Sequence, residues 1–156
     1  MNDSALFFNT IQSGSLEQLK AQLDKTSGLI KVKDTRGFTP LIFAAYFDKE
    51  AIVKILIAQK APVDDVDAMG NTALIGVSFK GNLPIAKYLI EHGAQINAQN
   101  NLGYTPLIFA SMYDQTEMVA LLLKHGADKT VTDKSGKIAV DYAKDKGYQK
   151  LIGLLE

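Results

Sequence analysis

Asp34-Thr-Arg-Gly-Phe-Thr-Pro-Leu-Ile-Phe-Ala-Ala45 decides the reading of this chain, because the same text returns three more times. Asp67-Ala-Met-Gly-Asn-Thr-Ala-Leu-Ile-Gly-Val-Ser78 answers it, then Asn100-Asn-Leu-Gly-Tyr-Thr-Pro-Leu-Ile-Phe-Ala-Ser111. Asp133-Lys-Ser-Gly-Lys-Ile-Ala-Val-Asp-Tyr-Ala-Lys144 is the most altered copy. Gly37, Gly70, Gly103 and Gly136 therefore fall 33 residues apart. A fixed period of this length marks a stacked array of one small supersecondary unit. The second half of each unit repeats as well. Ile52-Val53 with Leu56-Ile57 is matched by Ile85-Ala86 with Leu89-Ile90 and by Met118-Val119 with Leu122-Leu123.

The local chemistry of one unit points to two helices. Thr39 and Thr105 are good helix N-caps, since a hydroxyl can accept from an orphan N–H. Pro40 and Pro106 follow at the first helical position, where a missing N–H costs nothing. Ala44, Ala45, Ala110 and Ser111 are small enough to let neighbouring helices approach closely. In the second helix, apolar residues at i, i+1, i+4 and i+5 form a stripe of helical period. Gly93 and Gly126 can take the left-handed conformation that ends a helix. Lys60 stands where those glycines stand, which predicts a left-handed lysine followed by Pro62.

The period, the Gly-x-Thr-Pro-Leu segment and the Leu-Leu-x-x-Gly-Ala close resemble the ankyrin repeat, over essentially the whole chain. The resemblance implies an all-α, ankyrin-repeat solenoid of stacked helix-turn-helix units with β-turn or hairpin tips. The units are about 3–33, 34–66, 67–99, 100–132 and 133–156, within a single domain spanning 1–156. The first and last units read as caps. Leu6, Phe7, Phe8, Ile11, Leu16, Leu19 and Leu23 supply the apolar side of one. Leu151, Ile152, Leu154 and Leu155 supply that of the other. Polar end units are what a solenoid needs to stay in solution, so the array reads as complete, with no second domain. The first unit carries one extra residue near Ser27-Gly28. The family often has His after Thr-Pro-Leu; Ile42, Ile75 and Ile108 replace it here, so the stack must rely on apolar contact there.

Composition narrows the function. The 156 residues are 47% hydrophobic and 22% charged, with 17 basic and 17 acidic side chains. A nucleic-acid binder usually shows a basic excess, because phosphate neutralisation dominates its affinity. None is present, so no nucleic-acid partner is expected. No apolar run approaches the roughly 18 residues of a membrane span, and no membrane partner is expected either. The N-terminus shows no export signal. The chain has no cysteine, which removes disulfides, thiolate nucleophiles and Cys-based zinc sites. A cytoplasmic location is favoured over export of a processed chain.

Catalytic and metal readings find little support. The only histidines, His92 and His125, stand 33 residues apart. Stacked helices lie roughly 8–10 Å apart, whereas zinc needs each nitrogen at about 2.0–2.1 Å. Each His is better read as a helix C-terminal residue favoured by the macrodipole. Asp64, Asp65 and Asp67 lack the following bidentate Glu of a calcium loop. No serine lies in a Gly-x-Ser-x-Gly turn, and none has a placed base. Lys80-Gly81-Asn82 lacks the glycine-spaced lead-in of a phosphate loop. No enzyme activity, cofactor or metal is expected.

Family members usually bind through the concave face, built from turn tips and first helices. Six of the fifteen corresponding positions are aromatic here: Phe38, Tyr46, Phe47, Phe79, Tyr104 and Tyr113. Met69, Leu102 and Met112 extend the apolar surface. Aromatic residues and Met are enriched in interface cores. Phe38, Tyr46, Phe47, Met69, Phe79, Tyr104, Met112 and Tyr113 are thus the expected partner-binding residues, partly exposed in one continuous stripe. The competing reading is that Tyr46, Phe79 and Met112 merely pack between helices. The expected function is a non-catalytic protein–protein interaction module, a monomer that binds another protein. The alternative is a protective or regulatory accessory protein of a partner enzyme, resembling small bacterial ankyrin proteins. A chelator should leave the thermal unfolding midpoint unchanged; a fall of several degrees would reveal a structural metal and overturn this reading.

Overall fold

The computed structural model describes residues 1–156 as ten α-helices and one 3-10 turn, with no strand. The turn at the head of each unit shows why the repeated text matters. Asp34 Oδ1 accepts from the N–H groups of Arg36 and Phe38, at 2.9 and 3.0 Å. Asp67, Asn100 and Asp133 do the same for the residues two and four positions on. A short side chain that bonds its own backbone two residues on is the usual turn former. Gly37 then takes φ 77°, a left-handed conformation that glycine adopts without steric cost.

These turns are joined to one another through the backbone. The N–H of Ala68 donates to the carbonyl of Arg36 at 3.1 Å, that of Asn101 to Met69 at 3.0 Å, and that of Lys134 to Leu102 at 3.1 Å. The approach is close. A Cβ on Gly37 would lie 2.6 Å from the amide nitrogen of Ala68, and one on Gly103 would lie 2.8 Å from that of Lys134. Gly136, in the last unit, would meet nothing within 4 Å.

Each turn feeds a pair of helices. In the first unit these are α1 (Asp3–Ser13) and α2 (Leu16–Lys25). The 3-10 turn Ser27–Lys31 follows, where the extra residue was expected, and buries Leu29. The next pairs are α3 (Pro40–Tyr46) with α4 (Glu50–Ala58) and α5 (Ala73–Lys80) with α6 (Leu83–Glu91). Then come α7 (Pro106–Met112) with α8 (Thr116–Lys124) and α9 (Ala139–Lys146) with α10 (Gln149–Leu155). The first helices pack in one row and the second helices in another. No helix is long and apolar enough to cross a membrane.

Thr39, Thr72 and Thr105 each accept the N–H three residues on, at 3.1–3.2 Å, and so start the first helices. Almost all of α3 is buried, including Ala44 and Ala45. Ser78 and Ser111 are fully buried, and their hydroxyls donate to the carbonyls of Leu74 and Leu107. Ile42, Ile75 and Ile108 are buried too, so apolar contact does fill the place of the family's histidine. Second helices contribute Ile52, Val53 and Leu56, then Ile85, Ala86 and Leu89, then Met118, Val119 and Leu122 to the same core. The caps are more open than the apolar pattern suggested. Leu6, Leu16 and Leu154 are exposed, because an end unit has a neighbour on one side only.

The second helices close alike. Gly93 and Gly126 have φ 93° and 89°, and Lys60 has φ 70°. The N–H groups of Ala61, Ala94 and Ala127 reach back to Leu56, Leu89 and Leu122. Lys60 therefore sits in the left-handed region, as its place in the period required. Lys60→Gly should raise unfolding stability by roughly 1 kcal/mol, since a non-glycine residue pays about that much there. A lowered urea midpoint for the variant would contradict this.

The last turn carries a polar pair. Asp133 is buried, and Tyr142 on α9 donates its hydroxyl to the carboxylate. Burial pushes the Asp133 carboxyl up. The bonds from Tyr142 and from the N–H groups of Lys137 and Ser135, with the Lys137 charge, outweigh it and hold the group below its ordinary value. Burial and the facing carboxylate push the Tyr142 hydroxyl up, so it stays protonated. A carboxylate with a depressed folded-state pKa adds stability above the unfolded value, near pH 4, and loses it as pH falls through the folded value. Tyr142→Phe should consequently lower the urea midpoint at pH 7 and lower it much less at pH 2. An equal loss at both values would show that the hydroxyl acts only through packing.

Candidate functional site

The turn tips and first helices share one face, and the repeat phase brings their aromatic side chains together. The Phe38 ring lies 5.5 Å from that of Tyr46, and Tyr46 lies 5.2 Å from Phe47 and 6.3 Å from Phe79. Phe79 reaches Phe109 at 5.1 Å and Tyr113 at 5.3 Å. Tyr104 joins through Phe109 at 5.6 Å and meets the edge of Tyr142 at 6.2 Å. These separations suit offset and edge contacts between rings. The six aromatic residues expected at the site thus belong to one linked row, though Phe43 and Phe109 supply some of its joints.

Exposure along this row is uneven. Met69 and Tyr113 stand well into solvent, at 56% and 52%. Tyr46, Phe47, Tyr104 and Met112 are half-buried and pack against the core, and Phe79 is half-buried among the rings of the row. Phe38 departs from expectation: only 8% of it is exposed. The Arg36 guanidinium covers it at 4.2 Å while Tyr46 closes its other side. Tyr46 is itself held among three rings, under the Lys80 ammonium, which lies 4.5 Å from its ring and bonds its carbonyl. Met112 packs beside the row without lining its central dent.

That dent is one of two concavities along the turn tips and first helices; the other lies at the first unit, between α1 and Asp34-Thr35. The central dent has a volume of about 300 Å³ and is walled by Phe38, Ile42, Tyr46, Met69, Phe79 and Phe109. Gly76 forms part of its floor, and Arg36, Asp67, Asn71 and Thr72 stand around it. Asp67 and Thr72 are already bonded to backbone N–H groups. Arg36 bonds Asp34 through Nε and Nη2, at 3.1 and 2.8 Å, and its other N–H groups have no protein acceptor. Composition of the turn tips did not single out Phe43, Phe109 or Arg36. The period could have done so, because Phe43, Phe109 and Tyr142 share one phase on the first helices.

The residues weighed for other chemistry have ordinary structural roles. Nδ1 of His92 and His125 lies 2.8 and 3.0 Å from the carbonyls of Tyr88 and Leu121 on the same helices. Asp64 accepts from the N–H of Gln95 in the next unit at 3.0 Å. No three His, Cys, Asp or Glu side chains gather as metal ligands.

Comparison with known proteins agrees with this architecture. A family model described as ankyrin repeats in three copies matches residues 7–100, and a second, ankyrin repeats in many copies, matches residues 89–143. DNA-binding protein RFXANK of Homo sapiens is 40% identical over 55 residues, which is 35% of this chain and 21% of that protein. The likeness to that protein thus covers about a fifth of its length. With four turn-and-helix copies in phase and a family match over more than half of its length, the chain belongs to the ankyrin-repeat family.

Proposed function

We propose that the chain is a non-catalytic module that takes a partner protein on its concave face, across the turn tips and first helices. Ankyrin repeats form protein–protein interaction modules, and the fold and family are those of such a module. The observation that carries the face is the linked aromatic row with Met69, Leu102 and Tyr113 exposed along it. Large apolar side chains left in solvent on one surface mark a contact site more often than a packing need. Tyr and Met are also among the residues that interface cores favour. Against a nucleic-acid role, the chain has no net charge, and the DNA-binding name of its relative rests on a short match. The hydroxyls of Ser78 and Ser111 and the imidazoles of His92 and His125 bond backbone carbonyls on their own helices, which supports a role without chemistry.

Tyr113 tests the face more cleanly than Tyr46, whose ring is enclosed and whose loss would report packing. Once a partner is captured, Tyr113→Ala and Met69→Ala should each weaken it by about 1–3 kcal/mol, the range of an interface anchor. Their urea midpoints should stay near wild type. Lys87→Glu, on the opposite row at α6, should leave affinity unchanged. The reverse pattern, with affinity lost only through Lys87, would move the binding surface to the second helices.

A further inference from the structure

The middle unit is stripped of aromatic side chains where its neighbours carry them. At the turn position, Phe38 and Tyr104 flank Asn71; in mid-helix, Phe43 and Phe109 flank Gly76; at the helix end, Phe47 and Tyr113 flank Lys80. Tyr142 in the last unit continues the mid-helix series, so Gly76 is its one gap after Asp34. A Cβ built on Gly76 would meet nothing within 4 Å, and the space above it is the 300 Å³ dent. The protein's own copies show what fills this place elsewhere, namely an aromatic ring.

The walls are apolar, and an apolar cavity of about half this volume already holds benzene. Gly76 has no turn or left-handed backbone to serve, since it lies inside α5. There a glycine costs a helix roughly 1 kcal/mol relative to alanine. At the rim, Arg36 keeps unpartnered N–H groups beside the opening, on a side chain that is 47% exposed. A free guanidinium edge suits a carboxylate.

Resting on the concave-face reading, we infer that the dent over Gly76 receives a phenylalanine-type side chain of the partner protein, with an acidic residue next to it held by Arg36. The ring enters over Gly76, walled by Phe38, Tyr46, Phe79 and Phe109, and takes the mid-helix place between Phe43 and Phe109 that Gly76 leaves open. The neighbouring carboxylate then meets the outer edge of Arg36, which stays seated on Phe38. Specificity comes from shape at the floor and from charge at the rim.

The test uses the whole chain and three capped tetrapeptides, centred on Phe-Glu, Phe-Gln and Ala-Glu, followed by amide chemical shifts up to about 10 mM, the range of weak single-site contacts. The Phe-Glu peptide should shift Met69, Gly76 and Phe79 together and saturate. Affinity should fall at least tenfold for Ala-Glu and at least tenfold for the Gly76→Phe protein, whose added ring occupies the site. It should fall about threefold for Phe-Gln, and Arg36→Gln should abolish the difference between Phe-Glu and Phe-Gln. Gly76→Ala, with a raised urea midpoint, checks that α5 accepts a side chain. Absent shifts, shifts scattered over the surface, equal binding of Ala-Glu, or undiminished binding to Gly76→Phe would each overturn the inference. A captured partner separates the two levels. If it is lost with Tyr113→Ala but kept with Gly76→Phe, the pocket falls and the face stands. If both variants keep it, the face falls as well.

Discussion

The contact on which the rest depends is the backbone bond between successive turn tips, from Ala68 to Arg36, Asn101 to Met69 and Lys134 to Leu102. It forms only if each tip is fixed and if the next backbone can come close. The carboxylate or amide at the head of the turn secures the first condition by binding two N–H groups. Glycine secures the second, because any Cβ at Gly37 or Gly103 would collide with the following backbone. One short text therefore sets the spacing of the units, and the helices inherit their stacking from it.

That spacing also decides what the inner face can be. Side chains at equal phase point the same way, so aromatic residues spread from Phe38 to Tyr113 along the sequence become a single row of rings. The backbone frame of this face is held by the turn side chains Asp34, Asp67, Asn100 and Asp133 and not by the residues that project from it. The cross-unit bonds use main-chain atoms, so residues such as Arg36, Met69 and Leu102 are free to differ at one structural position. The dent over Gly76 shows the result: a change in one copy reshapes the face locally and leaves the stack intact.

Most of the architecture was legible from the repeat, because capping threonines, N1 prolines and turn glycines act through local geometry. Even the strained position of Lys60 followed from phase alone. Exposure was harder to read. Phe38 occupies a solvent-facing position by phase, yet Arg36 folds over its ring, and such a lid depends on side-chain reach that a periodic pattern does not encode. Phe109 is not legible from the turn tips and helix ends, because the row is joined through the middle of the first helices. Leu6 and Leu154 keep the apolar character of inner units although each lies where stacking stops.

The turn bonds have a direction. Each tip offers a carbonyl towards the next unit and an N–H towards the one before. The carbonyls of Arg36, Met69 and Leu102 are taken up in this way. A duplicated 33-residue segment spliced in at the boundary before Asn100 would find an acceptor waiting on one side and a donor on the other. The same polarity gives the array a way to lengthen by copying, and each inserted copy would bring its own rings to widen the inner face.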